Sequence, residues 1–192
     1  MYPKYVEIKG ERYPINTSYI VAIECNNISE DESIGKFEKG LAIIYKLFGD
    51  KGLKATNNYD ELLRLGFKYL ACGQELEETK TEPDMDYNQD MAYIKTSFKS
   101  DYNMELTDDM HWWEFNDLIN GLSDSELGNC CILNKIRNIR TMDTSDIKDP
   151  KQLEQIISAK KRFALKKKDK ELSKKEKDSI DKFYELTGIE RW

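Results

Sequence analysis

A helical spacing of apolar residues, repeated along most of the chain, constrains the fold more than any other feature. In "MAYIKTSFKSDY", spacings of three and four separate the apolar residues Met91, Ile94, Phe98 and Tyr102. The same spacing separates Phe37, Leu41, Ile44 and Phe48. Residues spaced in this way share one face of an α-helix, where they can pack against a core. Glycine and proline are scarce, at 10 and 4 residues, which favours helices with short connections. We therefore expect a mainly α fold.

The first residues instead alternate between apolar and polar side chains, which is typical of a β-hairpin. Val6 and Ile8 precede a turn at Lys9-Gly10, and a second alternating stretch follows. Pro14 has no backbone N–H, so we expect the second strand to be short or to lie at an edge. The predicted fold is thus a helical domain with a short N-terminal β-hairpin.

Helix-starting signals divide the remaining chain, because Ser, Thr, Asn and Asp side chains can accept the free N–H groups of a first turn. The residues expected to cap helices are Asn16 or Thr17, Ser29 with Glu32, Thr107, Ser123 with Glu126, Asp149 before Pro150, and Ser173 with Glu176. The glycines expected to end helices are Gly49, Gly73 and Gly188. We predict a hairpin over residues 1–16 packed on the helical body, a helical domain over 17–165, and a basic linker with a C-terminal helix over 166–192.

The stretch "LTDDMHWWEFNDLINGL", residues 106–122, contains the one histidine of the chain and two adjacent tryptophans. Sorting it by helical face places the histidine near the apolar side, so we expect a partly buried imidazole held by hydrogen bonds. The residues predicted to build the core from this helix are His111, Trp112, Phe115, Leu118 and Leu122. The acids that precede them are interpreted as a helix-start feature, where negative charge favours the dipole.

The second tryptophan is interpreted differently from the first. Trp113 projects about 100° away from Trp112, in the sector of Asn116 and Asn120. Either a neighbouring helix of the same protein covers its ring or a partner does, and the sequence leaves both open. Tryptophan is enriched among the residues that dominate binding energy at interfaces. As a hypothesis, Trp113, Asn116 and Asn120 bind a partner protein.

Charge is distributed unevenly along the chain. Residues 160–177 contain nine Lys and one Arg against three acids, a net charge of +7. Since the whole chain carries −6, the other residues carry −13. The basic stretch has three interpretations: a solvated helix face, an arm that binds an acidic protein surface, or a nucleic-acid contact. The acidic surface could belong to another copy of the same chain. A nucleic-acid role is not expected, because one aromatic residue, Phe163, interrupts the basic residues.

Motifs for enzymatic chemistry are missing from the sequence. It contains no GxxxxGK[ST], GxGxxG or GxSxG pattern. Asp108 and His111 are three residues apart, so on a helix both side chains could bind one metal ion. No further ligands for such an ion can be assigned. The four cysteines lack CxxC spacing and are interpreted as reduced thiols. We expect no catalytic residue, cofactor or metal, no membrane span, no signal peptide and a cytoplasmic location.

The same regions resemble a known family. "YIKTSFKSDYNMELTDDMHWWEFNDLINGLSD", followed by "IRTMDTSDIKD", is similar to the gene-product-fifteen family of tailed phages that infect Gram-positive bacteria. The positions that carry the resemblance are Tyr93-Ile94, Phe98, Tyr102, Glu105-Leu106, His111 to Phe115, Leu118 to Leu122 and Arg140 to Asp143. "VEIKGERYPINTSY" is also similar to the family's opening hairpin. The resemblance covers roughly residues 5–165 and is strongest over 93–146.

The resemblance implies a role in building a long, non-contractile phage tail of the siphovirus type. Members of the family are associated with tail assembly chaperones. Such chaperones keep the tape measure protein in solution, help recruit the major tail protein and are absent from the finished virion. We therefore expect a non-enzymatic chaperone in the host cytoplasm. A homo-oligomer of the chain is compatible with this role. The alternatives are a structural tail or head–tail component retained in the virion, and a regulatory protein that binds nucleic acid through residues 160–177.

Overall fold

The computed structural model describes residues 2–74, 83–124 and 130–166. Within these ranges it contains a single antiparallel hairpin at the N-terminus and seven α-helices, which confirms the mainly α fold class. The elements are β1 (Tyr5–Ile8), β2 (Glu11–Pro14), α1 (Tyr19–Glu30), α2 (Lys36–Lys54), α3 (Tyr59–Leu70), α4 (Met91–Tyr102), α5 (Trp112–Asn120), α6 (Ile132–Thr141) and α7 (Pro150–Phe163). None of these helices is both long enough and apolar enough to cross a membrane.

The described residues form two compact units. The first contains residues 2–74 and 108–114, and the second contains 83–107, 115–124 and 130–166. The predicted domain boundaries at residues 16 and 165 stay a prediction. Several predicted features lie outside the described residues: Glu126 of one capping box, the capping pair Ser173 and Glu176, Gly188, and all of the predicted C-terminal segment except Lys166.

The hairpin of the first unit has the predicted turn. Tyr5 pairs with Pro14 and Val6 pairs with Tyr13 in an antiparallel register. Lys9 and Gly10 both have positive φ, at 52° and 82°, as a two-residue hairpin turn requires. The remaining core of this unit comes from α1, α2 and α3, whose most buried side chains are Ala22, Cys25, Ile43, Ile44, Leu47 and Leu62.

Helix α2 breaks at Gly49, where a helix end was predicted, but it corrects the prediction that Phe37 is buried. Gly49 interrupts it with φ 61° and ψ −157°, after which a further helical turn reaches Lys54. Phe37, predicted to lie in the buried stripe, is instead 60% exposed. The buried residues of the helix are Gly40, Ile43, Ile44, Leu47, Phe48 and Gly52. The apolar stripe therefore begins one turn after Phe37.

The starts of α1 and α2 also differ from the predicted ones. Ser18 caps α1, and its Oγ accepts the Ile20 N–H at 3.2 Å. The predicted caps Asn16 and Thr17 were wrong, because the first helical residue is Tyr19 and the residue directly before it is Ser18. The Ser29 cap was wrong because α1 continues through that residue. Helix α2 starts after Gly35, whose N–H donates to the Glu38 carboxylate at 3.0 Å.

The second unit is built from α4, the later residues of α5, and helices α6 and α7. Its most buried side chains are Ile94, Phe98, Phe115, Ile119, Leu122, Leu133 and Ile136. The cap of α7 is as predicted, since Asp149 accepts the Lys151 N–H at 3.1 Å and Pro150 is the first helical residue. The helix predicted to start at Ser123 begins instead at Ile132, where the Cys131 Sγ accepts the Asn134 N–H.

Candidate partner-binding site

The helix that contains the tryptophan pair starts at the histidine, not at Thr107. Residues 103–110 are not helical, and α5 begins at Trp112. The His111 Nδ1 accepts the Trp113 N–H at 3.1 Å, which is the bond that a helix-capping side chain makes. Its backbone also forms a β-bridge with Ser18. His111 therefore supplies the start signal that Thr107 was predicted to supply.

The partners of the histidine ring also fix its protonation. The His111 Nε2 lies 2.9 Å from the Pro3 carbonyl oxygen, which can only accept a hydrogen bond. Nε2 therefore carries the proton while Nδ1 acts as the acceptor, which is the neutral Nε2–H tautomer. The ring is 9% exposed and stacks on Tyr2 at 5.0 Å between centroids. Among the described residues, no group of three or more His, Cys, Asp and Glu side chains is placed to hold a metal ion.

Both tryptophans hydrogen-bond to the carboxyl end of α3. The Trp112 Nε1 donates to the Leu70 carbonyl oxygen, and the Trp113 Nε1 donates to that of Tyr69, each at 2.9 Å. The last four carbonyl groups of a helix lack their usual partner four residues on. The Trp112 bond supplies a partner for the Leu70 carbonyl oxygen, whereas the Tyr69 carbonyl oxygen also accepts the Cys72 N–H at 3.0 Å. The tryptophan pair thus caps the end of α3.

The two tryptophans differ in burial. Trp112 is 2% exposed, whereas Trp113 is half-buried. The Trp113 ring stacks on Tyr69 at 6.0 Å between centroids, and a Cβ on Gly73 would lie 3.1 Å from its edge. Its own chain therefore covers part of Trp113. Its role in partner binding stays a prediction.

The two asparagines predicted beside Trp113 belong to the second unit. Asn116 is half-buried, and its Oδ1 accepts the Tyr87 hydroxyl at 3.2 Å. Asn120 is exposed. Partner binding by Asn116 and Asn120 likewise stays a prediction. Of the three, Asn120 presents its side chain most openly within its own unit.

The later residues of α5 lie in the core of the second unit. Phe115 is fully buried, and its ring lies 5.8 Å from that of Phe98 and 6.0 Å from that of Tyr87. Leu122 is 5% exposed and Leu118 is half-buried. The Leu118 carbonyl oxygen accepts the Tyr102 hydroxyl at 2.8 Å, which holds α4 against the end of α5.

A buried ion pair in the second unit had no counterpart in the sequence patterns. Asp90 is 1% exposed, and the Arg140 guanidinium donates to its two carboxylate oxygens at 2.6 and 2.8 Å. Arg140 also donates to the carbonyl oxygens of Asp84 and Phe163, at 2.8 and 2.7 Å. The hydrogen bonds that Arg140 donates to Asp90 raise the pKa of the Arg140 guanidinium. Arg140 was noted for the family resemblance, but the 50-residue separation hid its partner.

Apolar side chains are exposed at a few places in the described residues. Those that are more than a third exposed are Tyr5, Phe37, Ile132, Met142 and Ile157. Phe37 is the most open of these, at 60%, and its ring lies 5.5 Å from that of Tyr59. The Tyr59 hydroxyl donates to the Phe37 carbonyl oxygen at 3.4 Å, and burial raises the pKa of this tyrosine. These contacts place the Phe37 ring, which its spacing had assigned to the core, beside Tyr59 at the surface.

A comparison with protein families relates the chain to a known family. A family model described as "Bacteriophage Gp15 protein" matches residues 2–165, which include both units and the residues of the tryptophan segment. Searches of the curated proteins and of the solved structures found no match.

Proposed function

This chain belongs to the Bacteriophage Gp15 protein family, and on that premise we propose that it is a tail assembly chaperone. In this role it binds the tape measure protein, the major tail protein or both while the tail is built. It acts without enzymatic chemistry in the cytoplasm of the host cell and is absent from the mature virion.

The observation that carries the proposal is the aromatic pair formed by the exposed Phe37 and the half-buried Tyr59. A phenylalanine is usually buried, so a ring that is 60% exposed and held beside a second aromatic ring is informative. Gly40 permits this arrangement, because a Cβ there would collide with the Tyr59 hydroxyl. An apolar side chain from a partner helix can pack against the two rings.

The expected partner has the matching chemistry. A tape measure protein presents long apolar helical surfaces until the tail tube encloses it, and an acidic chain with few exposed aromatics can cover such a surface reversibly. The formal charge of −6 keeps several copies apart unless they are bound to a common partner. If each copy binds with modest affinity, several copies along one tape measure protein can together cover its apolar surface and still be released.

A binding experiment tests the proposal at a single residue. The tape measure protein of the same phage is co-expressed with the chain, and the dissociation constant is measured for the wild type, Phe37→Ala and Ile157→Ala. Phe37→Ala is expected to weaken binding about tenfold, or about 1.4 kcal/mol, with little loss of stability. Ile157 is the matched control, since it is exposed and apolar but lies in the other unit.

Two results would contradict the proposal. Equal binding by wild type and Phe37→Ala would remove the aromatic pair as the contact surface. Mass spectrometry of purified virions that finds the chain in fixed ratio to the tail proteins would instead identify a structural component. A chaperone is expected to be present in infected cells and missing from the particles.

A further inference from the structure

The two edges of the N-terminal hairpin have different neighbours. Along the edge of β2, the Arg12 carbonyl oxygen accepts a hydrogen bond from the Lys51 Nζ at 2.7 Å. Just after the strand, the Asn16 N–H donates to the Leu47 carbonyl oxygen at 2.7 Å. Pro14, within the strand, has no N–H to offer. Helix α2 and a proline therefore block the edge of β2.

The edge of β1 is open. The Ile15 N–H donates to the Lys4 carbonyl oxygen at 2.9 Å, so the even-numbered residues from 4 to 8 bond to β2. The N–H and C=O groups of Tyr5 and Glu7 consequently point away from β2. In the part of the chain that the structure describes, no hydrogen bond from another element reaches these two N–H and two C=O groups. Such a row of open groups can pair with a further strand.

The side chains along this edge are exposed and held in place. Tyr5 is 46% exposed, and the Arg12 guanidinium lies over its ring, 4.5 Å from the centroid. The Arg12 Nε also donates to the Glu7 carboxylate at 3.3 Å. On the other face of the strand, Val6 is half-buried and Ile8 is 5% exposed. One face thus anchors β1 in the core while its edge is preformed.

The edge of β1 is complementary to a second copy of itself in one antiparallel register. In this register Tyr5 of each copy lies opposite Glu7 of the other. The outward groups of these residues then face each other at both ends of the pair, so four N–H···O=C bonds can form. Val6 lies on the two-fold axis and faces Val6 of the second copy, where two apolar, half-buried side chains become neighbours.

The neighbouring registers are less favourable. A shift by two residues in one direction places Glu7 opposite Glu7, and like charges directly opposite each other destabilise a sheet. A shift in the other direction places Glu7 opposite Pro3. Pro3 has no N–H, and its carbonyl oxygen already lies 2.9 Å from the His111 Nε2. Charge and proline position therefore select the register with Tyr5 opposite Glu7.

We propose that β1 pairs with β1 of a second copy of this chain, which gives a four-stranded antiparallel sheet in the order β2–β1–β1–β2. Because α2 blocks the outer edge of each β2, the sheet ends at four strands and closes as a dimer. The charge of −6 on each copy opposes the pair, so it is weak at low salt and tightens as salt screens the repulsion. The pairing is independent of the proposed chaperone role, since it requires no tail protein.

Sedimentation equilibrium of the full-length chain measures the dimer. So short a strand pair buries less than the roughly 1,200 Å² of a standard interface, and a dissociation constant of about 0.1–1 mM is expected. This constant is expected to fall at least about twofold between roughly 0.05 and 0.5 M salt. In isotope-labelled wild type, the backbone amide NMR signals of Tyr5, Val6 and Glu7 are expected to shift as the protein concentration rises.

Two variants at one position locate the contact. Glu7→Pro removes an N–H that the hairpin does not use, and with it two of the four bonds of the pair. It is expected to weaken the dimer at least about tenfold. Glu7→Gln is the matched control, because it removes the same charge but keeps the N–H, and it is expected to dimerise at least as tightly as the wild type. Circular dichroism compares the folding of both variants, and the wild-type NMR experiment decides even if Glu7→Pro does not fold.

Three results would overturn the proposal. A wild type that stays monomeric at about 1 mM, with unshifted β1 signals, would show that the edge does not pair. Equal dimerisation by wild type and a folded Glu7→Pro would place the contact elsewhere. A dimer that weakens as salt rises would indicate attraction between the basic residues 160–177 and an acidic surface. The tape measure protein is absent from these measurements, so they leave the chaperone proposal to its own test.

Discussion

Replacing Arg140 with methionine is expected to destabilise the second unit strongly. The change removes two charge-assisted hydrogen bonds to Asp90, at 2.6 and 2.8 Å, and two more to the carbonyl oxygens of Asp84 and Phe163. It also leaves a carboxylate that is 1% exposed without its cation. Breaking a buried ion pair in this way typically costs about 3–5 kcal/mol. That is a large fraction of the roughly 5–15 kcal/mol that holds a domain folded.

Urea denaturation followed by circular dichroism measures this loss. With a slope of about 2 kcal/mol per molar urea, 3–5 kcal/mol lowers the midpoint by roughly 1.5–2.5 M. Arg64→Met is the matched control, because the Arg64 pair with Glu61 is exposed and its loss should cost at most about 1 kcal/mol. Hydrogen exchange at α4 and α6 reports on the second unit separately and is expected to speed up in Arg140→Met.

A double variant tests the reason for the loss. Asp90→Leu combined with Arg140→Met removes both charges, so no unpaired buried ion remains, and it is expected to be more stable than Arg140→Met alone. The reasoning would be refuted if Arg140→Met shifts the midpoint no more than Arg64→Met does. It would also be refuted if the double variant loses the sum of the two single losses.

Three further substitutions probe other features of the fold. Gly49→Ala should lower the free energy of unfolding, measured by urea denaturation, by about 1–3 kcal/mol, because φ 61° with ψ −157° suits glycine alone. The loss would come from backbone strain, since no atom lies within 4 Å of the new Cβ. Trp113→Phe keeps an aromatic ring but removes the N–H that donates to the Tyr69 carbonyl oxygen, so thermal unfolding should show a loss of about 1 kcal/mol, whereas no change would refute a stabilising role for this bond. Asp101→Asn tests acid stability. Burial alone would raise the pKa of Asp101, but hydrogen bonds from Ser123 and Ser100 lower it below its ordinary value. This carboxylate therefore stabilises the fold above its unfolded pKa of about 3.9, and the contribution disappears as pH falls through the lower folded value. A pH titration of unfolding should show a smaller acid-dependent loss in Asp101→Asn, and an unchanged profile would contradict this.

Local signals predicted the elements whose ends are determined locally. The turn at Lys9-Gly10 requires two residues with positive φ, and the start of α7 requires only Asp149 and Pro150. In both cases the residues that decide the structure are adjacent in the chain. The spacing of Ile94 and Phe98 in α4 likewise requires no information from elsewhere, and both side chains are fully buried.

The start of α5 shows why other features could not be predicted. Thr107 and the acids after it favour a helix that starts at residue 108, but the first helical residue is Trp112. The backbone of Trp112 donates instead to Thr17, and the Asp108 carbonyl oxygen accepts the Ser18 hydroxyl at 2.6 Å. These partners lie about 90 residues away in the chain. A tertiary hydrogen-bond network therefore overrides a local preference, which no spacing rule can detect.

Phe37 illustrates a second kind of error. Its spacing from Leu41 is helical, so the pattern alone cannot distinguish a residue that faces the core from one just beyond its edge. The neighbouring helix decides the outcome, because Gly40 allows Tyr59 to pack close to α2 and to occupy the position beside Phe37. The ring of Phe37 consequently extends past the core into solvent.

Several residues that carry the family resemblance make long-range structural bonds. His111 caps its own helix and binds Pro3, Trp112 and Trp113 cap α3, and Arg140 holds Asp90. Because these bonds maintain the fold, their substitution should reduce stability and partner binding together. Phe37, by contrast, contributes an exposed ring with little loss of stability expected on its removal. Variants of these structural residues and variants of Phe37 together separate an effect on partner binding from an effect on folding. A variant that loses binding at unchanged stability identifies the surface that the partner contacts.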